Sequence, residues 1–265
     1  MVDMTSNTFI VTDKIVSDAL ESVENYRKTS DKSRLAVNGG IATQLYVQPH
    51  FPYLLRPTHD LDIEPNPRLS AETFRSDVGK IIVEGLKSYK PGVSILRHVY
   101  EIKIEDERKY PFFVHLYKYS VNGYERNRKN LERATSDANK IKIPNSDETV
   151  YVIRPEEIVA GKDKRIKKIL NILEVPDEFK DVYDHFRKKE WEKIDEKELI
   201  PTIFSLVHQK EILPAQFDRG EEEFKKKLDE YRISKDIFDI GLLTRLAATG
   251  KIEFDEKYYE GILGE

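Results

Sequence analysis

The chain has no cysteine among its 265 residues. That excludes disulfides, thiolate metal sites and a cysteine nucleophile together. It also fits a reducing, cytoplasmic setting. Methionine is scarce, at two residues, while 35% of the chain is charged. Few oxidation-prone residues beside many ion-pairing ones is a composition that leans toward heat adaptation. No apolar run approaches the roughly 20 residues of a membrane-spanning helix. The opening stretch from Met1 to Lys14 lacks the basic start and apolar centre of a signal peptide. There is no internal repeat and no low-complexity tract. A large excess of either charge is also missing: 44 basic against 48 acidic residues give a net charge of -4. Such a chain is not a general polyanion binder, so any nucleic-acid contact needs a local basic patch. The 39% of hydrophobic residues is enough to build a core in one or two domains.

Periodicity divides the chain in two. Ile15, Ala19, Leu20 and Val23 share one face of a helix expected over 12–28, with Thr12 able to cap it. Arg34 to Val37 reads as a short strand running into Asn38-Gly39-Gly40, and a helix follows through Tyr46. Pro49, Pro52 and Pro57 then impose an extended loop. His59 to Ile63 alternates polar and apolar residues, as a half-buried strand does. A helix is expected from about Ser70 to Lys87, with Phe74, Val78, Ile81, Ile82 and Leu86 inward. Strands are expected near 93–104 and 111–119 and from Thr149 to Ile153; residues 120–147 give no clear pattern. After Pro155 the pattern is helical, with one helix stopped by Pro176 and the next capped by Asp177 and reaching about Trp191. The predicted fold is α+β: a mixed α/β domain over 1–153, then a helical domain over 154–265.

The chemistry centres on Asp60 and Asp62. Residues two apart on a strand point the same way, so the two carboxylates lie side by side. Their repulsion is relieved by a divalent cation that prefers oxygen ligands; a solvated edge strand would leave the same pattern. Upstream, Gly39-Gly40 sits between a strand and a helix. Glycines there let backbone approach a phosphate, and a helix N-terminus offers N–H groups and the positive end of a dipole; a plain turn would also account for them. Arg56 and Thr58 precede the Asp pair on the loop side and could reach phosphates. Further on, Lys162 lies on the apolar stripe of its helix with Ile158 and Ile166, so its ammonium needs a partner. Triphosphate oxygens would serve; so would Asp181 or Asp184, which share a helix face. Five of the eight residues from Gly161 to Lys168 are basic, which reads as a solvated face or as a local patch for an RNA backbone.

The segments Val37-Asn38-Gly39-Gly40-Ile41-Ala42-Thr43 and Arg56-Pro57-Thr58-His59-Asp60-Leu61-Asp62-Ile63 resemble the nucleotidyltransferase superfamily, in particular the AbiEii-type toxins of type IV toxin–antitoxin systems. Two later segments continue the resemblance: Pro155 to Lys162 is similar to the family's lysine segment, and Lys180-Asp181-Val182-Tyr183-Asp184 to its (Arg/Lys)-Asp-x-x-Asp motif. The resemblance spans residues 37–184; the rest matches nothing specific. It implies a nucleotidyltransferase-like mixed sheet. Gly39, Gly40, Thr58 and Lys162 would bind the nucleotide. Asp60 and Asp62 would hold Mg²⁺ or Mn²⁺, and the helical domain would contribute Lys162 and Asp181. The implied reaction transfers a nucleoside monophosphate from an NTP to an acceptor hydroxyl. A tRNA 3′ end would be the acceptor and an antitoxin protein a partner; a small-molecule acceptor is the variant of the same chemistry. No membrane partner is implied.

One position departs from the family pattern. Many members carry a third carboxylate on a neighbouring strand. The matching strand here, Phe112 to Tyr117, offers His115, and Glu101 on the preceding strand is the other candidate. Imidazole is a poor Mg²⁺ ligand, though it can ligate other metals or act as a base. The alternative function is therefore a non-catalytic descendant that binds nucleotide, RNA or protein. His59, by the same alternation, should face away from the Asp pair.

Overall fold

The computed structural model describes residues 9–29, 35–65, 77, 79–95, 99–105, 111–117, 132–197, 199–203, 206 and 222–264. It divides into two units, the first comprising 1–45 and 57–154, the second 46–56 and 155–265. The division after Arg154 falls where Pro155 opens a helix. Residues 46–56, which hold the proline-rich loop, go with the helical unit.

The first unit is a seven-stranded mixed sheet flanked by helices. Its strands are β1 (Leu35–Asn38), β2 (Asp60–Pro65), β3 (Gly92–Ile95), β4 (Val99–Ile104), β5 (Phe112–Tyr117), β6 (Asn139–Lys142) and β7 (Thr149–Val152). The order across the sheet is β3-β4-β5-β2-β1-β7-β6. β2 runs parallel to β5 and β1 parallel to β7; the other neighbours are antiparallel. The expected strand over 93–104 is two strands, β3 and β4, paired antiparallel. No Gly, Pro, Asn or Asp stands between Ile95 and Val99 to announce the reversal. β6 falls in the stretch that gave no pattern, being four residues, NKIK, on the sheet edge. Short, charged strands suit an edge because they discourage further pairing.

Helix α1 (Lys14–Thr29) starts two residues later than expected, after Asp13 rather than Thr12. The Asp13 carbonyl accepts the Val16 and Ser17 N–H groups, and its carboxylate accepts the Ile10 N–H at 2.7 Å. Ile15, Val16, Ala19, Leu20, Val23 and Tyr26 form its buried face. This spacing of apolar residues makes the helix two-sided. α1 packs on β7 and on α3 (Gly79–Gly85). α3 lies within the stretch expected as a helix from Ser70 to Lys87 and ends at Gly85; Phe74 and Val78 lie outside the described residues.

One face of the sheet is apolar: Leu61 and Ile63 of β2, Ile102 and Ile104 of β4, and Phe112, Val114 and Leu116 of β5 are fully buried. Alternation sends the intervening residues to the opposite face. A one-residue slip would put Asp60 and Asp62 into the apolar core, so this register is strongly specified.

The second unit is helical: α4 (Pro155–Ile169), α5 (Lys180–Arg187), α6 (Glu222–Ala248) and α7 (Glu256–Gly264). α4 begins on Pro155, a residue suited to the first helical position, with Glu156 and Glu157 in its first turn. It stops at Ile169, before Pro176. α5 turns Val182, Tyr183 and Phe186 inward. Trp191 is buried, with its Nε1–H donating to the Phe186 carbonyl at 3.3 Å and its ring edge-on to Phe254. α6 packs on α4 and α5. Among the described residues, no helix is long and apolar enough to cross a membrane.

Candidate functional site

The site of the first unit is a row of polar side chains written by strand register. Asn38 on β1 stands opposite Asp62 on β2. Asp62 stands opposite His115 on β5, His115 opposite Glu101 on β4, and Glu101 opposite Ser94 on β3. Five strands thus line up one polar residue each. The row is hydrogen-bonded along most of its length. Ser94 Oγ donates to Glu101 Oε1 at 3.0 Å. His115 Nε2 lies 3.3 Å from Glu101 Oε2, and His115 Nδ1 lies 3.4 Å from Asp62 Oδ1.

Asp60, one alternation before Asp62, joins the same face. Asp60, Asp62 and His115 each offer a ligand atom, and these atoms lie within 4.8 Å of one another. Three atoms at that limit stand about 2.8 Å from their common centre, against about 2.0–2.2 Å for a ligand on a small cation. The three residues can therefore close on one divalent ion with side-chain movements of under about 1 Å. Two carboxylates and an imidazole suit a divalent cation by donor type. Burial pulls the His115 imidazole down, but its bond to Asp62 and the charges of Asp62, Asp60 and Glu101 outweigh burial and raise it above the ordinary histidine value.

The strand-to-helix turn abuts this row. Helix α2 (Gly39–Val47) begins one residue after Asn38, the partner of Asp62. Gly39 has φ +72°, and a Cβ built there would collide with Asp62 Oδ2. Glycine is required at 39 by that φ and by the carboxylate beside it, whatever binds nearby. The Gly39 N–H donates to Asn38 Oδ1 at 2.7 Å, so it is already engaged. Gly40 follows in the first turn, where helix N–H groups have no partner within the helix. The first turn of α2 and the Asp62 carboxylate are thus immediate neighbours.

Thr58 is buried, and its hydroxyl donates to Asp60 Oδ1 at 2.7 Å. Its backbone bridges to Phe9 on both sides. In this structure Thr58 fixes the rotamer of a candidate metal ligand. Three residues of the site, Asn38, Glu64 and Ser94, were not singled out from the sequence. Glu64 extends the Asp60, Asp62 alternation and is buried, accepting a bond from Asn38 Nδ2 at 3.1 Å. Asn38 in turn holds the Gly39 N–H. The period-2 pattern already pointed to Glu64.

The remaining expected residues lie in the second unit. Arg56 is buried in a two-pronged pair with Asp239: Nε to Oδ1 and Nη2 to Oδ2, both 2.6 Å. Lys162 Nζ lies 2.6 Å from Asp239 Oδ2 and 3.2 Å from Asp236 Oδ1. Arg165 takes Asp236 with Nε and Nη2 at 2.5 and 2.7 Å. The partners of Lys162 are therefore two aspartates of α6, in place of the expected Asp181 or Asp184. Those two are exposed on α5, and Asp184 lies 3.5 Å from Lys188. Burial pushes the Asp236 carboxyl up, but Lys162 and Arg165 beside it hold it down at about 2. Asp239 is likewise lowered, with Arg56 and Lys162 outweighing the effect of burial. Of the basic run, Lys162, Lys164, Arg165 and Lys167 all bond within the unit, Lys164 to the Ile262 carbonyl and Lys167 to Asp163. Lys164, Arg165, Lys167 and Lys168 nonetheless stay exposed, so apart from Lys162 the run forms a solvated basic face.

No family model matches the sequence, and no curated protein matches it. Among solved structures, this chain aligns with the crystal structure of an antigenic nucleotidyltransferase-like protein from Paracoccidioides brasiliensis. The alignment covers 80% of this chain and 85% of that one, at 15% sequence identity and a TM-score of 0.38.

Proposed function

We propose that the first unit is a divalent-metal-dependent nucleotidyltransferase. It would move a nucleoside monophosphate from an NTP to an acceptor hydroxyl and release pyrophosphate. One observation carries this reading: the Asp60, Asp62, His115 group adjoins the N-terminus of α2, which starts beside Asp62. A cation site and an anion-attracting helix start side by side are what a metal–triphosphate requires. The bound metal would neutralise triphosphate charge and polarise the reacting phosphate. The chain's own residues do the positioning. Thr58 locks the Asp60 carboxylate, Asn38 holds the turn at Gly39, and the first turn of α2 faces the phosphate chain. Positioning and electrostatics supply most of the acceleration in phosphoryl-group transfer.

The proposal is confined to the first unit. Within the second, Lys162 already has two carboxylate partners, so its assignment as a triphosphate ligand adds nothing to it. A tRNA 3′ end as acceptor and an antitoxin as partner rest on the sequence resemblance alone. An RNA backbone at the 161–168 run likewise rests on its composition alone.

A second reading has one observation in its favour. His115 stands within 3.4 Å of both Asp62 and Glu101, and as an imidazolium it would offset part of the row's negative charge, leaving a fold that binds a ligand without a metal and without turnover. The two separate in one assay: α-phosphate-labelled NTPs, Mg²⁺ or Mn²⁺, and total RNA, resolved on a denaturing gel. The nucleotidyltransferase reading expects metal-dependent label transfer, reduced about 10²-fold or more by Asp60→Ala or Asp62→Ala, the scale of losing a transition-state electrostatic group. A small-molecule acceptor would appear as label in low-mass product with the same dependence. Label transfer equal to wild type in both variants would sink the metal assignment.

A further inference from the structure

The row that crosses the sheet does more than collect charge. It also decides which nitrogen of His115 faces the cation site. Glu101 Oε2 lies 3.3 Å from His115 Nε2, and the other carboxylate oxygen of Glu101 is held by the Ser94 hydroxyl at 3.0 Å. A carboxylate only accepts, so Glu101 holds hydrogen on Nε2. Nδ1, 3.4 Å from Asp62 Oδ1, is the nitrogen on the cation side, and a cation held by Asp60 and Asp62 would take the place of any proton there, making Nδ1 the ligating atom. Metal-binding histidines are commonly oriented in this way, by a carboxylate on the nitrogen that does not bind. Here the orienting residue stands directly opposite His115 in the β4–β5 ladder. Ser94, opposite Glu101 in the β3–β4 ladder, restrains it in turn. Sheet register fixes all three positions, so the arrangement does not depend on a mobile loop.

We propose that Glu101, restrained by Ser94, positions His115 as a nitrogen ligand and biases this site toward divalent transition ions of the Mn²⁺ and Co²⁺ kind over Mg²⁺. The inference rests on the reading of Asp60 and Asp62 as cation ligands. The chemistry is that of the donor set. Mg²⁺ holds its waters and favours oxygen, whereas imidazole suits first-row transition ions. The negative charge of Glu101 raises the basicity of the ring and strengthens the nitrogen donor further. Glu101 is in this account a positioning residue, acting on the metal through His115.

The test is metal binding by the full chain without nucleotide, using Mn²⁺ and Mg²⁺ alone as probes. Calorimetric titration gives the two affinities, and pulsed electron paramagnetic resonance of bound Mn²⁺ reports whether a nitrogen is coordinated. The expected result is Mn²⁺ bound about tenfold or more tightly than Mg²⁺, with nitrogen hyperfine coupling. Glu101→Leu, which removes the acceptor, should weaken Mn²⁺ about 10-fold and abolish the nitrogen coupling, while Mg²⁺ affinity changes little. Glu101→Gln keeps an acceptor oxygen and should keep the nitrogen coupling. Mn²⁺ bound by wild type without nitrogen coupling, or no more tightly than Mg²⁺, overturns the inference and leaves the Asp60–Asp62 site standing. Binding of neither ion overturns both. The wild-type spectrum decides the matter even if the leucine variant fails to fold.

Discussion

Gly39 shows how one residue serves both fold and site. Its φ of +72° disfavours any side chain, and the space a Cβ would fill is taken by Asp62. We expect Gly39→Ala to destabilise the protein by about 1–2 kcal/mol, from the left-handed backbone alone. It should also weaken cation binding, because the new methyl displaces a ligand carboxylate. Gly161 is the control. It lies inside α4, with open space where its Cβ would point. Gly161→Ala should stabilise by up to about 1 kcal/mol, the ordinary gain of alanine over glycine in a helix. Denaturant unfolding of both variants measures the contrast, and equal effects would contradict the role assigned to Gly39. The sequence made the Asp60–Asp62 pair legible through strict alternation, and the same alternation reaches Glu64. His115 and Glu101 were visible only as candidates. Their places opposite Asp62 depend on β5 lying between β2 and β4, a long-range pairing that local pattern does not encode.

At the level of elements, the α4–α6 contact is organised by buried charge. Arg56, Lys162 and Arg165 meet Asp236 and Asp239, and all but Arg165 are almost wholly buried. A buried network of this kind is weak evidence for stability, yet breaking it is costly. From the sequence alone, Lys162→Met would be expected to leave the fold intact and even to raise stability, because a lone buried ammonium is unfavourable. The structure revises that expectation: Lys162 bonds both buried carboxylates, which would lose this shared donor while Asp239 keeps Arg56 and Asp236 keeps Arg165. We predict a loss of about 1–3 kcal/mol, the cost of leaving buried acceptors short of a hydrogen bond. Lys168→Met, at the end of the same helix, should change stability by less than about 0.5 kcal/mol. A Lys162→Met protein as stable as wild type would refute the structural role. The partners were hard to foresee because they lie more than seventy residues downstream. A signal existed: Asp236 and Asp239 interrupt an otherwise apolar stretch of α6 at helical spacing.

The same network predicts a direction with pH. The Asp236 carboxyl is held at about 2, below its unfolded value. A depressed carboxylate contributes stability above the unfolded pKa and loses it as pH falls through the folded one. Its share is about 2 kcal/mol near neutrality. Asp239, lowered in the same sense, adds to it. The stability gap between wild type and Asp236→Asn should therefore narrow as pH falls from about 4 toward 2. A gap that stays constant over that range would show that the pair is not coupled to folding.

For the whole molecule, the broad plan was readable and its joints were not. An α/β front and a helical back follow from the switch in periodicity near Pro155. The β3–β4 reversal and the edge strand β6 carry no local signal, the first for want of turn residues and the second for want of apolar ones. Residues 46–56 group with the helices because Arg56 is anchored to Asp239 on α6, a contact that sequence order conceals. The central claim is that the polar row of the first unit and the start of α2 together hold a metal–triphosphate. Its most direct test is calorimetric titration of a non-hydrolysable NTP into the protein, with Mn²⁺, with Mg²⁺, and with chelator, for wild type and Asp62→Ala. The account predicts binding by wild type only with divalent metal, and a loss of at least about 10-fold on substituting Asp62. Nucleotide affinity unchanged by chelator and by Asp62→Ala would contradict it.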